Sequence, residues 1–225
     1  MLSGESYAAE LGRVVLTSQL YFLFSSDADW ARQNILPLLD WSVDARRADQ
    51  AWHGFLSGGK WSEALLPDLL PLYEGAFAHV PDLPQRLRRQ YSKHLAGIAV
   101  YGSSNPLQEG WLRRFLNAVE PEDRAAWASE VGLILRQLEG EAVRDLWDGW
   151  LGEYWSRRNS GIPLPLEPDE LEEGQTTALC GLTLLRPGLD LAGIGLSPVP
   201  FNPEDARPPE LATPVPPRLL LEPVV

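Results

Sequence analysis

Four carboxylates lie close together near residue 150: Glu141, Asp145, Asp148 and Glu153. Acids at such spacing are the raw material of a magnesium site or of general acid/base work. A metal site needs them to converge in a cavity with further oxygen ligands. In the segment Glu141–Arg158 they alternate with Val143, Trp147, Trp150 and Tyr154, which recur at helical spacing and form one aromatic stripe. The acids and Arg144 fall off that stripe, so their expected place is a solvated face. Gly54-Phe-Leu-Ser-Gly-Gly-Lys60 matches the first seven positions of a phosphate-cradling loop. Trp61 stands where the loop's Ser/Thr should hold magnesium, and the preceding segment is helical rather than a strand. A helix stop with an exposed lysine is the expected reading.

The remaining reactive side chains are isolated. His53, His79 and His94 are the three histidines, and none has a second ligand at metal spacing. His94, among Leu87, Tyr91 and Leu95, reads as a helix-face histidine. Cys180 is the single cysteine and has no catalytic context, and Ser103-Ser104 lack the G-x-S-x-G elbow. No catalytic, cofactor-binding or metal-ligating residue is therefore assigned, and no cofactor is expected. Arg86, Arg88, Arg89 and Lys93 form the one locally basic patch, with Arg113 and Arg114 as candidate neighbours. On a chain of net charge −12, they are expected to complement acidic neighbours, with a partner surface as the alternative. The same charge excludes non-specific affinity for nucleic acid or an anionic membrane.

The elements that would position these residues are helices. Glu5–Phe24 carries a wide apolar face, and Asp27 caps a second helix to about Leu39, with Pro37 as a kink or early stop. Asp44 caps a third, Ala45–Leu56, closed by Gly58-Gly59. Ser62 opens a fourth, which Pro67 and Pro71 must bend or split. Asp82 with Pro84 starts a fifth to about Tyr101, Asn105-Pro106 a sixth, Glu120-Pro121 a seventh, and Gly140 precedes the aromatic eighth. No strand alternation competes before residue 160. The fold class is all-α: antiparallel helical pairs in a HEAT-like irregular solenoid, or a compact multi-helix bundle. Trp52-His-Gly-Phe-Leu56 and Trp147-Asp-Gly-Trp-Leu151 share a pattern, but their separation sets no clean short period.

Residues 1–173 read as this helical domain and 174–225 as a tail. Thirteen of the twenty prolines follow Gly161, and Phe201 is the sole aromatic beyond that point. Glu167–Glu173 still resembles a helix start; past Gly174 both periodicities vanish, and disorder is expected. Two explanations stand: a proline-rich tail, or a reading-frame change that replaced a continuing helix. The Leu-rich, charge-poor composition favours the second. All nine tryptophans lie between Trp30 and Trp155, which places an aromatic-rich core in the first three quarters. The absence of a basic leader, of a bilayer-length apolar run and of paired cysteines points to a soluble cytoplasmic protein.

Several stretches carry a resemblance to a known family. They are Trp30-Ala-Arg-Gln-Asn-Ile-Leu-Pro-Leu-Leu-Asp-Trp-Ser42, Trp61-Ser-Glu-Ala-Leu-Leu-Pro67, His94-Leu-Ala-Gly-Ile-Ala-Val-Tyr101 and Asn105-Pro-Leu-Gln-Glu-Gly-Trp-Leu-Arg-Arg-Phe-Leu116. The opening helix and Tyr154-Trp-Ser-Arg-Arg-Asn-Ser-Gly-Ile-Pro163 add to them. Over roughly residues 8 to 174 the chain resembles the bacterial domain-of-unknown-function family 4020. The resemblance implies the helical C-terminal part of longer anti-phage defence proteins, where a sirtuin-like domain consumes NAD. It implies a sensing, packing or assembly role and no catalytic residues, with a protein partner or a sirtuin-like domain as the expected contact. This chain begins in the helical region, so the expectation is an incomplete gene product that does not hydrolyse NAD alone.

Overall fold

The computed structural model describes residues 6–154, which belong to one compact unit. Among them there are nine α-helices and no strand. The expected proline-rich tail, Cys180 and the end of the aromatic segment lie outside the described residues.

The first predicted helix is two: α1 (Tyr7–Ser18) and α2 (Leu20–Ser26), broken at Gln19. Ser6 caps α1, its side chain accepting from the Ala9 N–H. Asp27 caps α3 (Ala28–Asn34) through the Trp30 N–H at 2.9 Å, and a 3-10 turn, Leu36–Leu39, begins at the expected Pro37 stop. Asp44 caps α4 (Ala45–Gly58), accepting from the Arg47 N–H at 3.1 Å. Pro67 sits harmlessly in the first turn of α5 (Leu66–Ala76), and Pro71 lies within it. A 3-10 stretch, Phe77–Asp82, leads to α6 (Gln85–Tyr101), whose cap residue is Pro84 rather than Asp82.

Asn105 does accept from the Leu107 and Gln108 N–H groups, yet the segment it opens is a turn. The helix, α7 (Trp111–Ala118), starts only after Gly110, whose φ of 75° is left-handed and needs glycine. Then come α8 (Pro121–Leu135), α9 (Gly140–Leu146) and a π turn, Trp147–Leu151.

The packing follows a simple rule. α1 lies along α4, α4 along α6, and α6 along α8. These four helices start at Tyr7, Ala45, Gln85 and Pro121, spaced 38, 40 and 36 residues apart. Arg13 bonds to Gln50, and Thr17 donates to the Ala51 carbonyl; Gly54 meets Val14, and Gly58 meets Ser18. Residue numbers rise together, so α1 and α4 run parallel. Trp52 packs on Tyr91 and Phe55 on His94 at a constant offset, so α6 continues the same sense. Parallel neighbours require the chain to travel back between them, through α2–α3 and then α5.

Hydrogen bonds on other elements recur at comparable offsets. Arg32–Asp68 spans 36 residues, Arg88–Asp123 35, Glu63–Ser103 40, Glu74–Arg114 40 and Asn105–Gly149 44. Along α1, α4, α6 and α8 each helix thus meets the next one 36 to 40 residues on, the contact pattern of stacked helical repeats. The period missed in the sequence is present in the structure.

The core is aromatic as expected. Trp52, Phe55, Tyr73, Phe77, Tyr91 and Phe115 pack at centroid distances of 5.0 to 6.4 Å, edge-to-face or tilted except for Tyr91 and Phe115, which stack. Trp127, Trp150 and Tyr154 form a second group. Among the described tryptophans Trp30 is the exposed one, at 41%, and Tyr7, Tyr21, Phe22 and Tyr101 are exposed as well.

Candidate functional site

Glu141, Asp145 and Asp148 are exposed on α9 and the π turn, as is Glu153 just beyond them, while Val143, Trp150 and Tyr154 on the same stretch are buried. Among the described residues no three His, Cys, Asp or Glu side chains converge where they could hold a metal ion. The solvated-face reading of these acids holds.

The phosphate-loop lookalike is a helix and its stop. Gly54 lies inside α4, where a Cβ would sit 2.1 Å from the Val14 carbonyl oxygen. That glycine lets α1 and α4 touch backbone to backbone, and it leaves no room for a phosphate. Gly58 ends the helix, and the Gly59 N–H donates to the Phe55 carbonyl at 2.7 Å. Ser103, the other candidate hydroxyl, bonds to Glu63 at 3.0 Å on the surface.

The histidines occupy three different environments. His53 faces Asp49 at 3.7 Å within α4, and His79 stacks on Trp41 with centroids 4.1 Å apart. His94 lies 5.5 Å from Phe55 and bonds through Nδ1 to the Tyr73 hydroxyl at 2.7 Å. Burial, with Lys93 adding to it, lowers its pKa to about 4. The ring is therefore neutral at pH 7, and in the tautomer with hydrogen on Nε2 its Nδ1 accepts a hydrogen bond from the Tyr73 hydroxyl. Tyr91 in turn donates to the Tyr73 carbonyl at 2.6 Å. Burial pushes both tyrosines well above the usual phenol range, so both stay hydrogen-bond donors. The Tyr73 partner is 21 residues from His94 on a different helix, and no spacing rule could have revealed it.

The basic patch splits by role. Arg88 forms a bidentate pair with the buried Asp123, Nε to Oδ1 at 3.0 Å and Nη2 to Oδ2 at 2.6 Å. That hydrogen bond holds the Arg88 guanidinium above its ordinary value, Asp123, Glu122 and Glu120 adding to it. Arg114 pairs instead with Glu74, 2.6 Å away on α5. Arg86, Arg89 and Lys93 are exposed. Between α6 and α8 runs an open cleft of about 700 Å³, lined by Gln85, Arg88, Arg89 and Asp123 with Ala126 and Ser129. Complementation of acidic neighbours is thus met by Arg88 and Arg114.

α1 buries Ala9, Arg13 and Thr17 while exposing Tyr7, Leu11 and Val15, so its inner face is small and polar and its outer face apolar. No helix of the described residues is long and apolar enough to cross a membrane. Neither a protein-family model, nor a curated protein, nor a solved structure matches this chain.

Proposed function

We propose that this chain is a non-enzymatic helical scaffold, the interaction part of a sirtuin-associated defence protein, working in the cytoplasm. The observation that carries the reading is the stack of parallel helices α1, α4, α6 and its 36- to 40-residue spacing. Repeat stacks of this kind present extended surfaces to other macromolecules, and their ordinary work is binding. The resemblance to family 4020 supports the defence context and a sirtuin-like domain as partner. Protonation chemistry at His94 is disfavoured, because its Nδ1 is committed to Tyr73.

The test is direct. Purified chain incubated with NAD is expected to leave it intact, whereas turnover above the buffer rate would contradict a scaffold. A second reading, an adaptor that takes a partner peptide between helices, is favoured by the α6–α8 cleft. Under it, Arg89→Glu would abolish capture of that peptide with the fold unchanged; equal capture by both forms would remove it.

A further inference from the structure

On α6 the charges are all of one sign. Arg86, Arg89 and Lys93 stand at i, i+3 and i+7, so they share one face of the helix over two turns, and all three are exposed. Arg88 lies to another side, where Asp123 neutralises it. Arg32, Arg47 and Arg114 likewise each have a carboxylate at hydrogen-bond distance. No carboxylate among the described residues pairs with Arg86, Arg89 or Lys93. On a chain of net charge −12, this row is a local reversal of sign. The α8 side of the adjoining cleft carries Glu122 and Asp123, so an anion is drawn to the α6 wall and away from α8.

The sequence holds a complement to this row. Beyond the described residues, Glu167-Pro-Asp-Glu-Leu-Glu-Glu173 places five carboxylates in seven residues. No Lys or Arg occurs between Asn159 and Leu185, so nothing within that stretch offsets them. We propose that this acidic segment docks, within the same chain, on the Arg86–Arg89–Lys93 face of α6. Its reach is sufficient. Tyr154 packs on Trp127 of α8, ring centroids 5.4 Å apart, and α8 packs on α6. Two helix-to-helix steps therefore separate Tyr154 from α6, about 20 Å at the usual interaxial spacing. Glu167 stands 13 residues after Tyr154. A chain of that length spans up to about 40 Å. Such a tether keeps the acids at an effective concentration on the order of millimolar, so ion pairs too weak to hold a free peptide suffice. The contact goes beyond the adaptor reading, because it needs no partner. An acidic partner could reach this face only by displacing the segment.

The chain has two lysines, Lys60 and Lys93, and both are exposed. A water-soluble carbodiimide joins a lysine amine to a carboxylate that touches it. The whole chain, treated at low salt, is expected to form an amide between Lys93 and an acid of residues 167–173 within single chains, located by peptide mass spectrometry. Lys60, between α4 and α5, should give about tenfold less, since it has no row of cations around it. Salt at about 0.5 M should cut the Lys93 product severalfold, because exposed pairs are screened. Arg86→Glu with Arg89→Glu keeps Lys93 but inverts the field around it. That variant should lower the product about tenfold, with a circular dichroism melt that matches the parent's. A Lys93 that joins no acid of the segment would overturn the proposal. So would a product shared equally by Lys60 and Lys93, one that forms only between two chains, or one indifferent to the double substitution. These readouts involve neither NAD nor a partner peptide, so their failure is distinct from failure of the scaffold or adaptor readings.

Discussion

Gly54 and Gly75 make a controlled pair. A methyl at Gly54 would collide with the Val14 carbonyl at 2.1 Å, whereas a methyl at Gly75 meets nothing within 4 Å. Both sit inside helices, so helix propensity favours alanine at each by about 0.5–1 kcal/mol. Gly54→Ala should nonetheless destabilise by roughly 2 kcal/mol or more, because α1 must move off α4. Gly75→Ala should be neutral or stabilising, and urea denaturation of both separates the effects. His94 makes a different kind of demand. Its folded pKa, about 4, lies below the ordinary 6.5, so between these values the unfolded chain binds more protons. Stability is therefore unpenalised above pH 6.5, falls as the pH drops toward about 4, and levels off below. The span corresponds to a loss on the order of 3 kcal/mol. In His94→Gln that part of the acid sensitivity should disappear, as a denaturation midpoint followed against pH would show.

At the scale of elements, the tie between α6 and α8 is the Arg88–Asp123 pair. Asp123→Ala removes the buried carboxylate that holds Arg88, whose half-buried guanidinium can still reach water through the cleft, and should cost about 1–3 kcal/mol, read from the urea midpoint. Much of the helix layout was legible. Asp27, Asp44 and Pro121 mark starts with a local mechanism, a side-chain acceptor or a missing N–H, so they could be read without knowing the fold. The aromatic stripe from Val143 to Tyr154 was also visible, although the π turn at Trp147–Leu151 was not. Where the reading slipped, the cause was nonlocal or stereochemical. Asn105 makes its cap bonds, but Gly110 in the left-handed region delays the helix to Trp111. Gln19 breaks the opening helix with nothing in its residue type to announce it. At the candidate sites the local placement was legible: Gly54 lies inside a helix, and the four acids sit off the aromatic stripe at exposed positions. The partners of His94 and Arg88 were invisible, because each lies on another helix at an offset only the stacking defines.

For the whole molecule, the repeat went unread because its members share geometry and not residues. The four helix starts are preceded by Ser6, Asp44, Pro84 and Glu120, four different solutions to the same terminus. The likeness of Trp52–Leu56 to Trp147–Leu151 sets no short period, and neither segment marks the 36- to 40-residue spacing of the stack. Stacking makes stability a nearest-neighbour matter, so distant layers should be coupled only through those between them. Methyl and amide nuclear Overhauser contacts in an isotope-labelled chain test this most directly. Cross-peaks are expected from α1 to α4 and from α4 to α6, with none from α1 to α8 or α9. Strong contacts between α1 and α8 would mean a closed bundle, and would contradict the stacked array on which the scaffold reading stands.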